Sequence, residues 1–123
     1  MFRSFLCFML FAQSVFASSS VLGIYDLEVN INNNVFKDVL FLKTVSSINL
    51  YGEFEVPGNF RVPFLGEFKE GKILGEFKAK ENGNEFKVLL EASLMGNCRL
   101  RGKLIQNEVE FAKFSGEKRG CHE

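Results

Sequence analysis

Tryptophan is absent from this sequence, proline occurs twice, and the single histidine, His122, stands one residue from the C-terminus. Three cysteines and one imidazole leave little material for a metal cage or a histidine-based catalytic site. Neither charge is in surplus, with 15 Lys and Arg against 15 Asp and Glu. That balance excludes the basic footprint of a nucleic-acid binder and the acidic bias of a disordered tail. Also missing are a phosphate-cradling Gly-rich loop, zinc-ligand spacing and a nucleophile elbow. No catalytic residue, cofactor or metal ligand can be named, so the expectation leans away from an enzyme. What is present, 123 residues that are 46% apolar and 24% charged, suits one ordinary globular domain.

The apolar stretch at the N-terminus, Phe5 to Leu10 with Phe11 and Ala12, is too short to span a bilayer, which takes about 20 residues. Arg3 precedes it and Val15-Phe16-Ala17 follows, which together predict a signal peptide over 1–17, cleaved after Ala17. Cys7 follows Phe5-Leu6 rather than small residues, which argues against a lipid anchor. The expected mature domain, 18–123, is secreted or periplasmic and has no membrane span. Removing Arg3 from the 15 basic residues leaves 14 against 15 acidic ones. Removing Cys7 leaves Cys98 and Cys121, an even pair in an oxidising compartment and hence a predicted disulfide.

Beyond residue 20 the dominant period is two. Phe86, Val88, Leu90 and Ala92 share one face, as do Ile73, Gly75, Phe77 and Ala79, while Lys72, Glu76, Lys78 and Lys80 take the other. Phe60, Val62, Phe64, Gly66 and Phe68 repeat the pattern, and so do Ile48, Leu50, Gly52, Phe54 and Val56. Such alternation belongs to antiparallel strands with one buried and one wet face. Turn signals at Asn32-Asn33-Asn34, Pro57-Gly58-Asn59, Glu70-Gly71, Asn82-Gly83, Gly96-Asn97 and Gln106-Asn107 divide the chain. Eight strands result, near 21–31, 35–44, 46–56, 60–69, 72–81, 84–93, 97–105 and 108–115, with a break around Val45-Ser46.

Two-residue turns at Glu70-Gly71 and Asn82-Gly83 dictate register. Phe68 then faces Ile73, Gly66 faces Gly75, Phe64 faces Phe77, Ala79 faces Phe86 and Phe77 faces Val88, with Lys80 opposite Glu85 on the wet side. A one-residue slip would destroy this agreement. The predicted fold class is all-β, an antiparallel up-and-down meander of about eight strands closing into a small barrel. A two-sheet sandwich is the alternative, disfavoured because every connection is short.

An internal repeat recurs as Tyr51-Gly52-Glu53-Phe54, Leu65-Gly66-Glu67-Phe68 and Leu74-Gly75-Glu76-Phe77, with Arg101-Gly102-Lys103-Leu104 as a looser copy. Its glycines fall on the interior phase, where they weaken a strand unless something requires them. One reading is curvature and room for neighbouring rings. The other is a ligand cavity lined by Phe54, Phe64, Phe68, Phe77, Phe86 and Phe111, with Gly52, Gly66, Gly75 and Gly102 as its hollow points. In the last strand Val109 and Phe111 share a phase that Phe114 breaks, so a bulge is expected near Ala112. The polar tail from Ser115 to Glu123 is then clamped over one barrel end by the Cys98–Cys121 bridge.

On the outer face Glu53, Glu55, Glu67 and Glu76 read as solvated. Arg99, Arg101 and Lys103, near Lys118 and Arg119, form a basic cluster best explained by alternating surface charge. Tyr51, Leu65, Leu74 and Leu89 break the outer polarity and could form a small apolar patch.

The meander resembles the lipocalin-like, or calycin, barrels, a group of secreted small-molecule binders that includes the avidins. Gly23-Ile24-Tyr25 at the start of the first strand is similar to their Gly-x-Trp motif, with Tyr in place of Trp. The leading expectation is a non-enzymatic exported protein holding a small apolar or amphipathic ligand in its Phe-lined interior. The alternative is a solid-cored interaction or inhibitor module that binds an exported protein through loops or the outer patch.

Overall fold

A computed structural model describes residues 21–122 of the chain. The signal peptide expected over 1–17, its cleavage after Ala17 and Cys7 lie outside the described residues. Eight strands run in chain order: β1 (Gly23–Ile31), β2 (Asn34–Ser46), β3 (Asn49–Val56), β4 (Phe60–Lys69), β5 (Lys72–Glu81), β6 (Asn84–Met95), β7 (Arg99–Gln106) and β8 (Val109–Lys118). Each pairs antiparallel with its successor, and β1 pairs with β8, closing the barrel. The sandwich alternative is thereby excluded.

Hairpin chemistry accounts for this order. Glu70-Gly71 and Asn82-Gly83 both have positive φ at each central residue, as do Asn32-Asn33 and Asn107-Glu108. That is the conformation whose twist matches the flanking strands. The registers follow as expected: Phe64 faces Phe77, Gly66 faces Gly75, Phe68 faces Ile73, and Ala79 faces Phe86. Lys80 meets Glu85 across the outer face at 3.9 Å.

Three local expectations need correction. β2 does not break at Val45-Ser46 but continues to Ser46, turning at Ser47, where φ is +57°. Its register slips between Leu42 and Thr44, which returns Val45 to the interior opposite Leu50. Ile48, expected on the buried phase of β3, is therefore exposed in the turn. The turn after β7 falls at Asn107-Glu108, one residue later than expected. The bulge expected near Ala112 is present: Leu104 pairs with Ala112 and Ile105 with Glu110, leaving Phe111 unpaired. Ala112, Phe114 and Gly116 then all face inward.

The two barrel ends differ. At one, turns 47–48, 70–71 and 96–98 meet both ends of the described chain. Val21 folds beneath this end and is fully buried, accepting a 2.8 Å hydrogen bond from Tyr25 Oη. Cys98 and Cys121 form a disulfide with Cα atoms 5.6 Å apart. Lys118 N–H donates to the Cys98 carbonyl and Arg119 N–H to that of Ile24, both at 2.8 Å, so the tail is tied down. This end is closed. Between the ends, one cluster of inward side chains from all eight strands forms the core.

Candidate functional site

The opposite end, bounded by turns 32–33, 57–59, 82–83 and 107–108, is an open cup of about 460 Å³. That volume lies within the range of small-molecule sites, roughly 300–1,000 Å³. Phe54 on β3 and Phe77 on β5 stack beneath it, ring centroids 4.0 Å apart and planes within 6° of parallel. Phe36, Phe60, Phe86 and Phe111 rise around the wall, none of them fully buried. Val29, Val56, Val88 and Leu104 complete an apolar lining.

Lys37, Asn59, Lys80 and Glu81 stand among the lining residues, but one charged side chain is buried in the wall. Asp38 on β2 faces Leu27 on the inward row of β1 and is 7% exposed, the only buried charged residue among those described. Burial pushes its carboxyl up from an ordinary 3.8 to about 6, because low dielectric disfavours the anion. It remains mostly ionised at neutral pH. Lys37 lines the same end but is engaged outside, 2.7 Å from Glu28.

The sequence-derived candidates separate along the barrel axis. Phe54, Phe77, Phe86 and Phe111 converge on the cup. Phe64 is fully buried outside the cup lining, and Phe68 lies by the closed end, beside the turn at 70–71. Gly52, Gly66, Gly75 and Gly102 do not line the cup. A Cβ on Gly66 would come within 2.6 Å of the Leu74 carbonyl oxygen, and one on Gly75 within 2.8 Å of that of Leu65. One on Gly52 would strike the Phe41 carbonyl, and one on Gly102 would lie 2.7 Å from the Phe114 ring. At each of them strands or rings approach too closely for a side chain.

The sequence pattern placed Phe60 on the apolar face but not in the cavity lining, and left out Phe36 and Asp38 altogether. A signal for Asp38 and Phe36 exists: the Asn32-Asn33 turn pairs Val29 with Phe36 and Leu27 with Asp38. The near-continuous apolar run of β2 hides that phase.

Outside the cup the surface is charge-balanced. Glu53 receives Lys43 at 2.9 Å and Arg61, whose guanidinium stacks 4.0 Å above the Phe41 ring. Both cations hold the Glu53 carboxyl below its ordinary range. In the basic cluster, Arg119 pairs with Asp26 at 2.7 Å, Lys103 lies 3.9 Å from Glu110, and Arg99 faces Glu117. Tyr51 and Leu65 face each other and are exposed, but Glu67, Glu76 and Glu91 interleave with Leu74 and Leu89. No group of three His, Cys, Asp or Glu that could hold a metal occurs among the described residues.

The site and fold together define an eight-stranded, closed, up-and-down antiparallel barrel with one plugged and one open end, consistent at fold level with lipocalin-like barrels. No protein-family model, curated protein or solved structure matches the chain.

Proposed function

We propose that this is a non-enzymatic exported binding protein that holds a small apolar or amphipathic molecule in the phenylalanine-lined cup. The observation that carries the reading is an open, ring-walled volume of about 460 Å³ at one end of a barrel plugged at the other. Burying apolar ligand surface there stabilises a complex by about 25 cal/mol per Å² before the costs of association. The Cys98–Cys121 disulfide supports an oxidising, secreted or periplasmic destination.

Fluorescence titration with N-phenyl-1-naphthylamine, an uncharged apolar probe, tests this. Saturable one-to-one enhancement is expected, weakened about tenfold by Phe86→Ser or Phe111→Ser as one ring's contact is removed. Absence of saturable binding, or indifference to both substitutions, overturns the reading. The exposed Tyr51–Leu65 pair supports a second reading, a protein partner on the outer face. Under that reading the probe fails to bind, and Leu65→Lys releases a stoichiometric partner copurified from the native host.

A further inference from the structure

The cup reading leaves the position of Asp38 unexplained. An interior leucine there would extend the apolar core, as Leu27 directly opposite does. The neighbouring strands offer the carboxylate no cation: β1 presents Leu27 and Val29 on this face, and β3 presents Phe54 and Val56. The charged groups at the rim are Lys37, Lys80 and Glu81. Lys37 is held by Glu28 at 2.7 Å, and Lys80 lies 3.9 Å from Glu85. Among the described residues no ion pair reaches Asp38, and burial alone accounts for its altered acidity. Among the described residues no sealed side-chain oxygen lacks a partner, and Asp38 lines the cup, so its oxygens open there.

We propose that the cup takes a single-chain amphiphile with a protonated amine head, and that Asp38 is the carboxylate that receives that head. The inference rests on the cup being a ligand site. An ammonium group donates charge-assisted hydrogen bonds to the carboxylate, and the ring faces around it add cation–π attraction. The aliphatic chain lies along Phe86, Phe111 and the Phe54–Phe77 stack. A carboxylate-headed amphiphile meets like charge, and an alcohol leaves the buried charge uncompensated.

Displacement of N-phenyl-1-naphthylamine by decylamine, decanol and decanoate at pH 7.5 tests the assignment. Decylamine is expected to bind roughly ten- to a hundredfold more tightly than decanol, with decanoate weakest. Asp38→Asn should abolish that preference without weakening decanol or the uncharged probe, showing that the cup is intact. Glu81→Gln should preserve it. Between pH 7.5 and pH 5.0 decylamine affinity should fall about tenfold as the carboxylate protonates, with decanol not weakened. If the probe and decanol bind but decylamine has no advantage, or Asp38→Asn retains it, the amine assignment fails while the cup reading stands. If neither the probe nor any amphiphile binds, both fall.

Discussion

Leu27 and Asp38 face one another across the first hairpin, a leucine and an acid side by side on the interior wall. One step along, on the outer face, Glu28 and Lys37 are opposite and joined at 2.7 Å. The hairpin thus carries an ordinary ion pair outside and an uncompensated carboxylate inside.

That carboxylate has a measurable effect on stability. With its pKa raised from 3.8 to about 6, the folded protein binds the Asp38 proton more tightly than the unfolded chain does. Its effect on stability is therefore neutral below the unfolded pKa, worsens as pH rises through the interval to about 6, and is constant above it. Asp38→Asn should be more stable than the parent at pH 7.5 by about 1–2 kcal/mol, allowing for solvent screening through the open mouth. The difference should vanish near pH 3.5. Urea unfolding at both pH values measures it, and equal stabilities at pH 7.5 contradict the account.

Inward glycines should divide into two kinds. A Cβ at Gly116 meets the Leu27 side chain at 2.5 Å, with its next neighbour 3.6 Å away. Gly116→Ala should cost about 1–3 kcal/mol, and Leu27→Val should relieve part of it in a double-mutant cycle. At Gly66 the obstacles are the Leu74 carbonyl and the Gly75 backbone, so truncating a side chain should leave Gly66→Ala unrelieved. Equal rescue at both sites would refute the distinction.

The disulfide closes the plugged end and lies on the far side of the barrel from the cup. Replacing Cys98 and Cys121 by serine removes a cross-link between residues 23 apart in sequence. Loop-closure entropy puts the cost at about 3 kcal/mol, read by chemical denaturation. Probe affinity of the folded double variant should change less than about twofold, because the cup wall does not include the bridge. A large loss of binding would show that the ends are coupled.

Tyr25 should stay protonated well beyond an ordinary phenol. Burial pushes it from 10.0 to about 12, with its hydroxyl donating to Val21. The folded state holds this proton more tightly, so its contribution to stability is intact below pH 10 and declines as pH rises towards 12. Tyr25→Phe should cost about 1 kcal/mol at neutral pH through the lost hydrogen bond. The same substitution should remove the alkaline component from the pH–stability curve. An unchanged curve would contradict the buried position.

Much of the architecture was legible because local rules agreed. Asn82-Gly83 and Glu70-Gly71 demand two-residue turns, and the apolar rows of β4, β5 and β6 allow one register only, which the barrel adopts. The Phe114 phase break likewise announced the Phe111 bulge. β2 was harder, since its apolar run contains no clear alternation and its register slip at Lys43 depends on the partner strand.

Strand number, most turn positions and the β4–β5–β6 register came from the chain alone, because twofold side-chain alternation and positive-φ turns act between neighbours in sequence. Which phenylalanines share a cup was a different matter. Phe54 and Phe77 meet only because β3 and β5 flank β4 on a curved sheet, while Phe68 on the same inward face ends at the other rim. The burial of Asp38 was likewise decided by closure: β8 must return to β1 before the interior row of the first hairpin loses its water.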